Sequence, residues 1–552
     1  MKKHWFKIFL VLISFFALFV RIYKVTDSPP SPYWEEVALG YDAYSISETG
    51  KDHHGNSYPL VAFESFGDWK PSGYFYAIVP FIKLFGLSVL SIRLPSIIAG
   101  TGIVMAIGWL TWLFTDQFKN NQRKSLVLIS MLLASISPWL IQFSRAGWEV
   151  NLATFSVIMG INFGWASVNK SKNKVSFIFL ILSVLFFVDS MYVYHAARVI
   201  SPLLGLFLGL RYLIFSYQKD KDIRKLFLQS SVIVGLLLIL LFPFIKAWGS
   251  PILGQRAAET TIFSDISIIE SSNYFKDLYN NAWWTRFAFH RVFFYLRVII
   301  SQFFAHFNIS YLFVAGDAIA RHSSQYFGLF YPFEVLFLLI GSWFLLKDLS
   351  KDKKVFLLFW IIVGVLPAAI STPVPHALRT LPIAPAMILL AVFGVWKFHE
   401  FLSEKVHCFI KGIKEFRKKF LWLVILGAYL FAFIGFYRHL LFVYPKQFAN
   451  DWQFGYEQMI NEVETLRKEN PEVPIYITRQ QGRPAMYYWF YTKTDPKLVQ
   501  AADKISKQDQ GEYLEFENIK FINSLNEVVS DPAIVADFFN GEWRVQLFYW
   551  RY

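Results

Sequence analysis

The chain has 552 residues, of which 55% are hydrophobic and 19% aromatic, and its mean hydropathy of +0.38 excludes an ordinary soluble enzyme. Its formal net charge is +14, but the basic residues stand in short clusters between apolar runs, which indicates membrane loops and no nucleic-acid partner. The single cysteine, Cys408, excludes an intramolecular disulfide and a multi-cysteine metal site.

The N-terminus predicts a retained membrane anchor. Lysines at positions 2 and 3 precede an apolar run that ends at Val20, which is the pattern of a signal peptide. Arg21 to Lys24 follow without a small-residue cleavage site. We therefore expect the first segment to stay in the membrane and the N-terminus to lie in the cytoplasm.

The chain up to residue 443 alternates between apolar runs and polar loops. A membrane-spanning helix needs about 20 mostly apolar residues. By this measure the predicted spans are 5–24, 90–114, 125–143, 151–168, 175–191, 196–215, 226–246, 326–346, 355–371, 380–398 and 420–443. An additional buried or re-entrant segment is left open around 74–88 and 292–313.

Alternate loops are rich in lysine and arginine, and we expect these loops in the cytoplasm. They carry Lys2, Lys3 and Lys7; Lys119, Arg123 and Lys124; Lys170, Lys172 and Lys174; Lys219, Lys221, Arg224 and Lys225; Lys347, Lys351, Lys353 and Lys354; and the block from Lys397 to Lys419. The opposite loops, expected outside, are 25–89, 144–150, 192–195, 247–325, 372–379 and everything after Tyr444. An odd number of spans agrees with a cytoplasmic N-terminus and an external C-terminus.

The first outer loop, 25–89, carries two adjacent acids, Glu35 and Glu36, among aromatic residues. Carboxylates at the interface of water and bilayer are costly unless they are paired or used, so this pair predicts chemistry. Lys70 lies in the same loop and can hold an anion. Asp42 is either a cap or turn residue or a substrate contact, and both interpretations are left open.

The other outer loops also present ionisable residues beside helix ends. These are Arg145 and Glu149, His195 and Arg198, His376 and Arg379, and in the long loop 247–325 His306, Asp317, Arg321 and His322. If they converge, carboxylates can serve as a general base and cations can hold a phosphate, which favours transfer from a phosphate-linked donor. The histidines stand on separate loops without metal-ligand spacing, so no metal ligand is predicted, and dependence on a divalent metal is left open.

Residues 444–552 differ in composition from the rest. They contain a helix-like stretch at 456–468 and a strand candidate at 473–478 bounded by proline. About 100 residues can form a small domain. We therefore predict a membrane module over 1–443 and a small α/β domain outside the membrane. Whether its aromatic run Tyr487 to Tyr491 supplies core or a membrane-facing surface is left open.

Several of these segments occur together in one known pattern. Trp34-Glu35-Glu36 leads into Tyr41-Asp42-Ala43-Tyr44, and Lys70-Pro71-Ser72 follows. Further matching pieces are Leu84-Phe85-Gly86 with Arg93-Leu94-Pro95-Ser96, Ser137-Pro138-Trp139 with Ser144 to Asn151, and His376-Ala377-Leu378-Arg379. As a set they resemble the GT-C superfamily of membrane glycosyltransferases. The similarity is to the bacterial branch (family 39 type) grouped with protein mannosyltransferases and lipid A aminoarabinose transferases, which usually have Asp where Glu35 stands.

The resemblance implies an α-helical polytopic fold of about 11 spans in the cell membrane. It also implies a polyprenyl-phosphate sugar donor and an outer acceptor, which a protein, a lipid or a polysaccharide would fit equally; membrane lipids are further partners. Glu35 would deprotonate the acceptor, with Glu36 competing for that role. Donor phosphate would contact Lys70, Arg198 and Arg379, and substrate would contact Asp42, Arg145, Glu149, His195 and His376. No cofactor is certain.

Two functions from other classes fit the sequence less well. A transporter or flippase for lipid-linked sugars would show paired halves with matching broken helices, and the sequence has no such internal symmetry. A membrane protein that senses envelope glycans would explain the C-terminal segment but would leave the acids of loop 25–89 without a task. The predicted function is therefore sugar transfer.

Overall fold

The computed structural model describes residues 4–65, 67–168, 173–405, 414–503, 508–509 and 511–549. Some predicted features therefore lie outside the described residues, namely Lys2, Lys3, Lys170, Lys172 and, within the block 397–419, the segment 406–413 with Cys408. Contacts divide the chain into two compact units. The first comprises Met1–Tyr23, Ile97–Ser144 and Glu149–His439, and the second comprises Lys24–Ser96, Arg145–Trp148 and Leu440–Tyr552.

Most of the described chain is helical. The helices are α1 (Trp5–Ile22), α2 (Trp34–Thr49), α3 (Gly73–Phe85), α4 (Val89–Phe114), α5 (Asn120–Ile136), α6 (Pro138–Ser144), α7 (Glu149–Val168), α8 (Asn173–Val193), α9 (Ala197–Asp220), α10 (Ile223–Lys246), α11 (Pro251–Thr260), α12 (Ile266–Leu278), α13 (Thr285–Ala288), α14 (Arg291–Ala305), α15 (Ile309–Phe313), α16 (Glu334–Asp348), α17 (Lys351–Ala369), α18 (Ala377–Thr380), α19 (Ala384–Lys405), α20 (Lys414–Arg438), α21 (Tyr444–Gln447), α22 (Tyr456–Glu469), α23 (Pro484–Thr492) and α24 (Pro496–Asp503).

The strands are short. They are β1 (Ala62–Ser65), β2 (Asp68–Pro71), β3 (Ile475–Thr478), β4 (Gln508–Asp509), β5 (Glu512–Tyr513), β6 (Glu515–Phe516), β7 (Ile519–Ile522), β8 (Ala533–Phe539) and β9 (Glu542–Phe548).

The prediction of a helical polytopic membrane protein with a small C-terminal domain is confirmed. Each of the predicted spans contains a helix, but within the described residues only eight helices are long and apolar enough to cross a membrane, or nine if the bent pair α5–α6 counts as one span. The helices α7, α16 and α17 do not meet that test. The segment Thr285–Phe313, which contains the stretch 292–313 that the sequence left open, does meet it. With 15 residues, α16 is too short for a bilayer core of about 30 Å at 1.5 Å per residue.

Small residues let helices of the first unit approach each other closely. A Cβ atom built on Gly341 of α16 would lie 1.9 Å from the carbonyl oxygen of Leu390 in α19, and one on Gly394 would lie 1.8 Å from that of Phe337. No side chain fits at these positions. Such close backbone contact is typical of helices that pack in a membrane, where dispersion replaces the hydrophobic effect.

The second unit combines loop 24–96 with the C-terminal segment. Its main sheet has the order β6-β7-β3-β8-β9, in which β3 pairs in parallel with β7 and β8, and the outer pairs are antiparallel. All four residues of β3 are buried. The aromatic residues Tyr487 to Phe490 of α23 are also buried, so this run supplies core rather than a membrane-facing surface.

Candidate active site

Glu35 lies in the first turn of α2, where the helix N-terminus favours a carboxylate. Its Oε1 is 2.8 Å from Nζ of Lys70, which is carried by β2. The same Nζ lies 4.5 Å from the ring centroid of Trp34. The Lys70 side chain is 6% exposed and that of Glu35 is 22% exposed. The pair therefore places a solvent-accessible carboxylate beside a buried cation.

Glu36, the next residue, is only 2% exposed and both of its oxygens accept hydrogen bonds. Arg93 binds it in a bidentate manner, with Nε 2.9 Å from Oε1 and Nη2 3.1 Å from Oε2. The backbone N–H of Gly147 donates to Oε1 at 2.7 Å, and that of Tyr33 donates to Oε2 at 3.2 Å. These contacts are those of a residue that holds three chain segments together.

Two buried arginines fix the segment that leads into α2. Arg93 donates from Nη1 to the carbonyl oxygens of Val25 and Pro29, at 2.6 and 3.0 Å. Arg145 donates to the carbonyl oxygens of Ser28 and Lys24, at 2.9 and 3.0 Å from Nη2. Arg145 was predicted to contact substrate, and these hydrogen bonds tie its guanidinium to the chain itself. In the sequence, Arg93 stands out only as part of the family pattern, which assigns it no role.

Asp42 lies two turns after Glu35 on α2 and is fully buried. Its Oδ1 accepts from the backbone N–H of His53 at 3.0 Å and lies 2.7 Å from Nδ1 of that ring. These are contacts of a residue that anchors a turn, one of the two interpretations left open. The rings of His53 and His54 have centroids 3.9 Å apart.

The turn that contains His53 and His54 connects loop 24–96 to α24. Nδ1 of His54 lies 2.9 Å from Oδ1 of Asp503, and the hydroxyl of Tyr513 also donates to that carboxylate. Burial lowers the pKa of His54, but the hydrogen bond and charge of Asp503 outweigh it and the net shift is upward. Burial raises the pKa of Asp503, but the hydrogen bonds from His54 and Tyr513 outweigh it and the net shift is downward. The pair thus favours its charged form.

In the first unit, Asp317 lies with His322 and His376. Oδ2 of Asp317 is 3.5 Å from Nδ1 of His322, and the two imidazole centroids are 4.8 Å apart. The backbone N–H groups of Ile319 and Ala377 donate to the two oxygens of Asp317, at 2.8 and 2.6 Å. One ligand atom from each of the three side chains lies within 4.8 Å of the others, so they could hold a metal ion.

The sequence singles out all three residues, but it predicts no metal ligand because the histidines are far apart along the chain. Only the fold brings the end of the long loop next to α18. Two imidazoles and one carboxylate are ligands that suit Zn²⁺.

The remaining predicted residues lie in the first unit. Arg198, at the start of α9, donates to the carbonyl oxygen of Met191 at 3.3 Å and lies 3.1 Å from Nδ1 of His195. Arg379, three residues after His376, donates to Oγ of Ser371 at 2.9 Å. Glu149 is half-buried at the first position of α7.

Comparisons with known proteins give a consistent result. No protein-family model matches the sequence, and no curated protein matches it. Among solved structures, ArnT from Cupriavidus metallidurans bound to undecaprenyl phosphate is similar, with a TM-score of 0.54 at 12% identity over 97% of this chain and 93% of that chain.

The archaeal oligosaccharyltransferase AglB from Archaeoglobus fulgidus, in complex with an inhibitory peptide and a dolichol-phosphate, is also similar. Its TM-score is 0.51 at 12% identity, over 89% of this chain and 64% of that chain. The A. fulgidus enzyme tethered with an acceptor peptide containing the NVT sequon gives 0.52 at 13% identity, over 89% and 63%. This chain therefore spans less than two thirds of the archaeal chain.

These likenesses establish the fold. The chain has the fold of the GT-C superfamily of membrane glycosyltransferases, as its sequence pattern predicted. The narrower assignment to family 39 stays a prediction. The apolar helices and this fold together indicate an integral membrane protein.

Proposed function

We propose that this protein is a glycosyltransferase that moves a sugar from a polyprenyl-phosphate carrier to an acceptor on the outer face of the cell membrane. The observation that carries the proposal is the pair of Glu35 and Lys70, 2.8 Å apart at the start of α2. A base and a cation side by side are what transfer from a phosphate-linked donor requires. The fold supports it, since its solved examples include proteins in complex with lipid phosphates.

In the proposed reaction, Glu35 takes the proton from a hydroxyl of the acceptor while that oxygen bonds to the anomeric carbon of the sugar. The bond from that carbon to the phosphate oxygen breaks, and the lipid phosphate leaves with the electron pair. Lys70 has three N–H donors and can bridge Glu35 and the phosphate. It therefore stabilises the charge that develops on the leaving group.

We assign different tasks to the two acids. Glu35 is the proposed base because its carboxylate is accessible. Glu36 is a positioning residue, since Arg93 and two backbone N–H groups occupy its oxygens. Arg145 is proposed to position the segment that leads into α2, and Asp42 the turn at His53. By the family resemblance alone, Arg198 and Arg379 remain proposed phosphate contacts, and Glu149, His195 and His376 remain proposed substrate contacts.

The acidic residue can be tested by substitution in α2. Glu35→Gln keeps the size of the side chain and removes the base, so turnover should fall by roughly 10²–10⁴-fold, the usual effect of a general base. Glu35→Asp keeps a carboxylate and should retain substantial activity. Glu48→Gln, at an exposed glutamate of the same helix, is the matched control and should leave turnover unchanged.

The assay follows sugar transfer in membranes with a panel of polyprenyl-phosphate sugars. Mass spectrometry of envelope glycoconjugates, with and without the protein, identifies the acceptor and the sugar. Wild-type turnover in Glu35→Gln would show that another group is the base. Unchanged glycoconjugates, together with no transfer from any donor of the panel, would contradict the proposed function.

A further inference from the structure

A second cation, from the C-terminal segment, lies against the ring of Trp34. The guanidinium carbon of Arg483 lies 4.3 Å from the ring centroid of Trp34, and Nζ of Lys70 lies 4.5 Å from it. Trp34 is the first residue of α2 and directly precedes Glu35. Two positive charges therefore meet at one indole beside the proposed base.

The backbone that presents Arg483 has an unusual conformation. Gly482 and Arg483 have φ values of 77° and 63°, in the left-handed region, immediately before α23. For a residue with a Cβ atom this conformation is disfavoured, and it persists where the surroundings determine it. Such residues concentrate at functional sites. The turn thus fixes the direction in which the Arg483 side chain leaves the backbone.

Gln453 joins this turn to the start of α2. Its Oε1 accepts from the backbone N–H of Trp34 at 3.0 Å, and its Nε2 donates to the carbonyl oxygens of Gln481 and Gly482. The hydroxyl of Tyr456 donates to the carbonyl oxygen of Gly482 at 2.8 Å. Because the side chain of Gln453 is bonded to both segments, it fixes the position of Arg483 relative to Glu35.

A second arginine of the same loop has different surroundings. Nη2 of Arg479 donates to Oδ1 of Asn523 at 2.6 Å, and its Nη1 lies 3.9 Å from Oε2 of Glu512. These partners belong to the C-terminal segment. Glu512 also lies near Arg483, whose backbone N–H donates to its Oε2 at 3.4 Å, but the guanidinium of Arg483 lies against Trp34, the residue that opens α2. Burial lowers the pKa of Arg483, while the charges of Glu512 and Glu35 act in the opposite direction. A bound anion would further favour the charged form.

The proposed reaction requires positive charge beside the phosphate that leaves. When the sugar leaves, the lipid phosphate changes from a diester to a monoester and gains negative charge. Lys70 already faces the carboxylate of Glu35, so it neutralises the phosphate only in part. A guanidinium over an aromatic face keeps its N–H donors in its own plane and can still bind phosphate oxygens in a bidentate manner.

We propose that Arg483 binds the phosphate of the lipid-linked donor together with Lys70, so that the C-terminal segment supplies a residue of the active centre. This inference rests on the proposed function and names a further binding residue for it.

The test measures binding rather than turnover. Purified full-length protein is titrated with undecaprenyl phosphate, and in parallel with undecaprenol, which lacks the phosphate, and occupancy is read by native mass spectrometry. Arg483→Gln should weaken binding of undecaprenyl phosphate by about 10- to 100-fold, the effect of losing a hydrogen bond to a charged group. Binding of undecaprenol should not change.

Two further variants sharpen the result. Arg483→Lys keeps the charge but loses the bidentate geometry, and it should bind undecaprenyl phosphate between the wild type and Arg483→Gln. Arg479→Gln is the matched control from the same loop and should bind it like the wild type. Thermal unfolding of each variant confirms that the fold is retained, and Arg483→Lys keeps the test decisive if Arg483→Gln does not fold.

The outcomes separate this inference from the proposed function. If Lys70→Gln weakens binding of undecaprenyl phosphate and Arg483→Gln does not, the role of Arg483 is refuted and the proposed function stands. If Arg483→Gln leaves donor binding intact but raises KM for the acceptor, Arg483 recognises the acceptor and the inference is also refuted. If the wild type binds undecaprenyl phosphate no better than undecaprenol, the proposed function itself fails.

Discussion

Glu35 and Glu36 are neighbours in the sequence, yet they have very different surroundings. Glu35 has an exposed fraction of 22%, whereas Glu36 is 2% exposed and receives four hydrogen bonds. A carboxylate that takes a proton from a substrate must be accessible to that substrate. A carboxylate that pairs with a buried arginine need not be. The same side chain therefore serves different purposes at adjacent positions.

This difference predicts separate effects on stability. Glu36→Gln leaves the guanidinium of Arg93 buried without its carboxylate, which should destabilise the protein by about 3–5 kcal/mol. Thermal unfolding in detergent, followed by tryptophan fluorescence, measures the loss. Glu35→Gln is the comparison variant: the carboxylate of Glu35 is 22% exposed, so water can reach the pair and the loss of stability should be smaller than for Glu36→Gln.

A double-mutant cycle checks the cause. Arg93→Met should destabilise the wild type more than it destabilises Glu36→Gln, because the ion pair is already lost in the latter. Equal effects in both backgrounds would mean that the two side chains are not coupled, against the contacts between them.

Among the elements, the turn at His54 and the end of α24 form a pH-dependent connection. The raised pKa of His54 contributes stability below about pH 6.5, which is lost as pH rises through the folded value. The lowered pKa of Asp503 contributes stability above about pH 4, which is lost as pH falls through its folded value. The connection should be strongest between these limits.

His54→Gln should therefore lower the melting temperature most near pH 5 to 6. The difference from the wild type should shrink as pH rises above the raised pKa of His54. Asp503→Asn should lower the melting temperature over the same pH range. The double variant should lower it no more than either single variant does. A pH-independent difference would assign the effect to packing alone.

The cluster of Asp317, His322 and His376 joins the end of the long loop to α18 and supports another prediction. Addition of Zn²⁺ to metal-free protein should raise its melting temperature. At a free Zn²⁺ concentration one hundred times the dissociation constant, the free energy of unfolding should increase by about 2.7 kcal/mol. His322→Ala should remove this response. His306→Ala, at a buried histidine outside the cluster, is the control. Equal responses to Zn²⁺ in both variants and the wild type would show that the ion binds elsewhere.

At the scale of the molecule, the sequence predicts where the helical segments lie better than it predicts how many of them cross the membrane. Apolar runs predict helices because only internally bonded backbone is stable in a bilayer. Whether α7, α16 or α17 also crosses depends on length and polar content, and residues such as Asn151 and Asn162 lower the hydropathy of α7. The C-terminal domain was predicted from its composition, but not its sheet order.

The residues of the candidate site have a sequence signal where they are close along the chain, and none where only the fold brings them together. The acids Glu35 and Glu36 form a local pattern. The contact of Arg483 with Trp34 joins residues that no local pattern relates, and the same holds for His322 and His376. Arg93 also lacked a signal, since a single arginine near a helix end usually extends its charge toward the interface.

The hydrogen bond between Gln453 and Trp34 connects residues 419 positions apart. A ribosome adding 5–20 residues per second needs roughly 20–80 s to travel that distance. During that time the helix that bears Glu35 has already been made, but the turn that carries Arg483 does not yet exist. A chain still under synthesis thus holds its acid without the second cation, and the proposed donor site is complete only after Arg483 has been added.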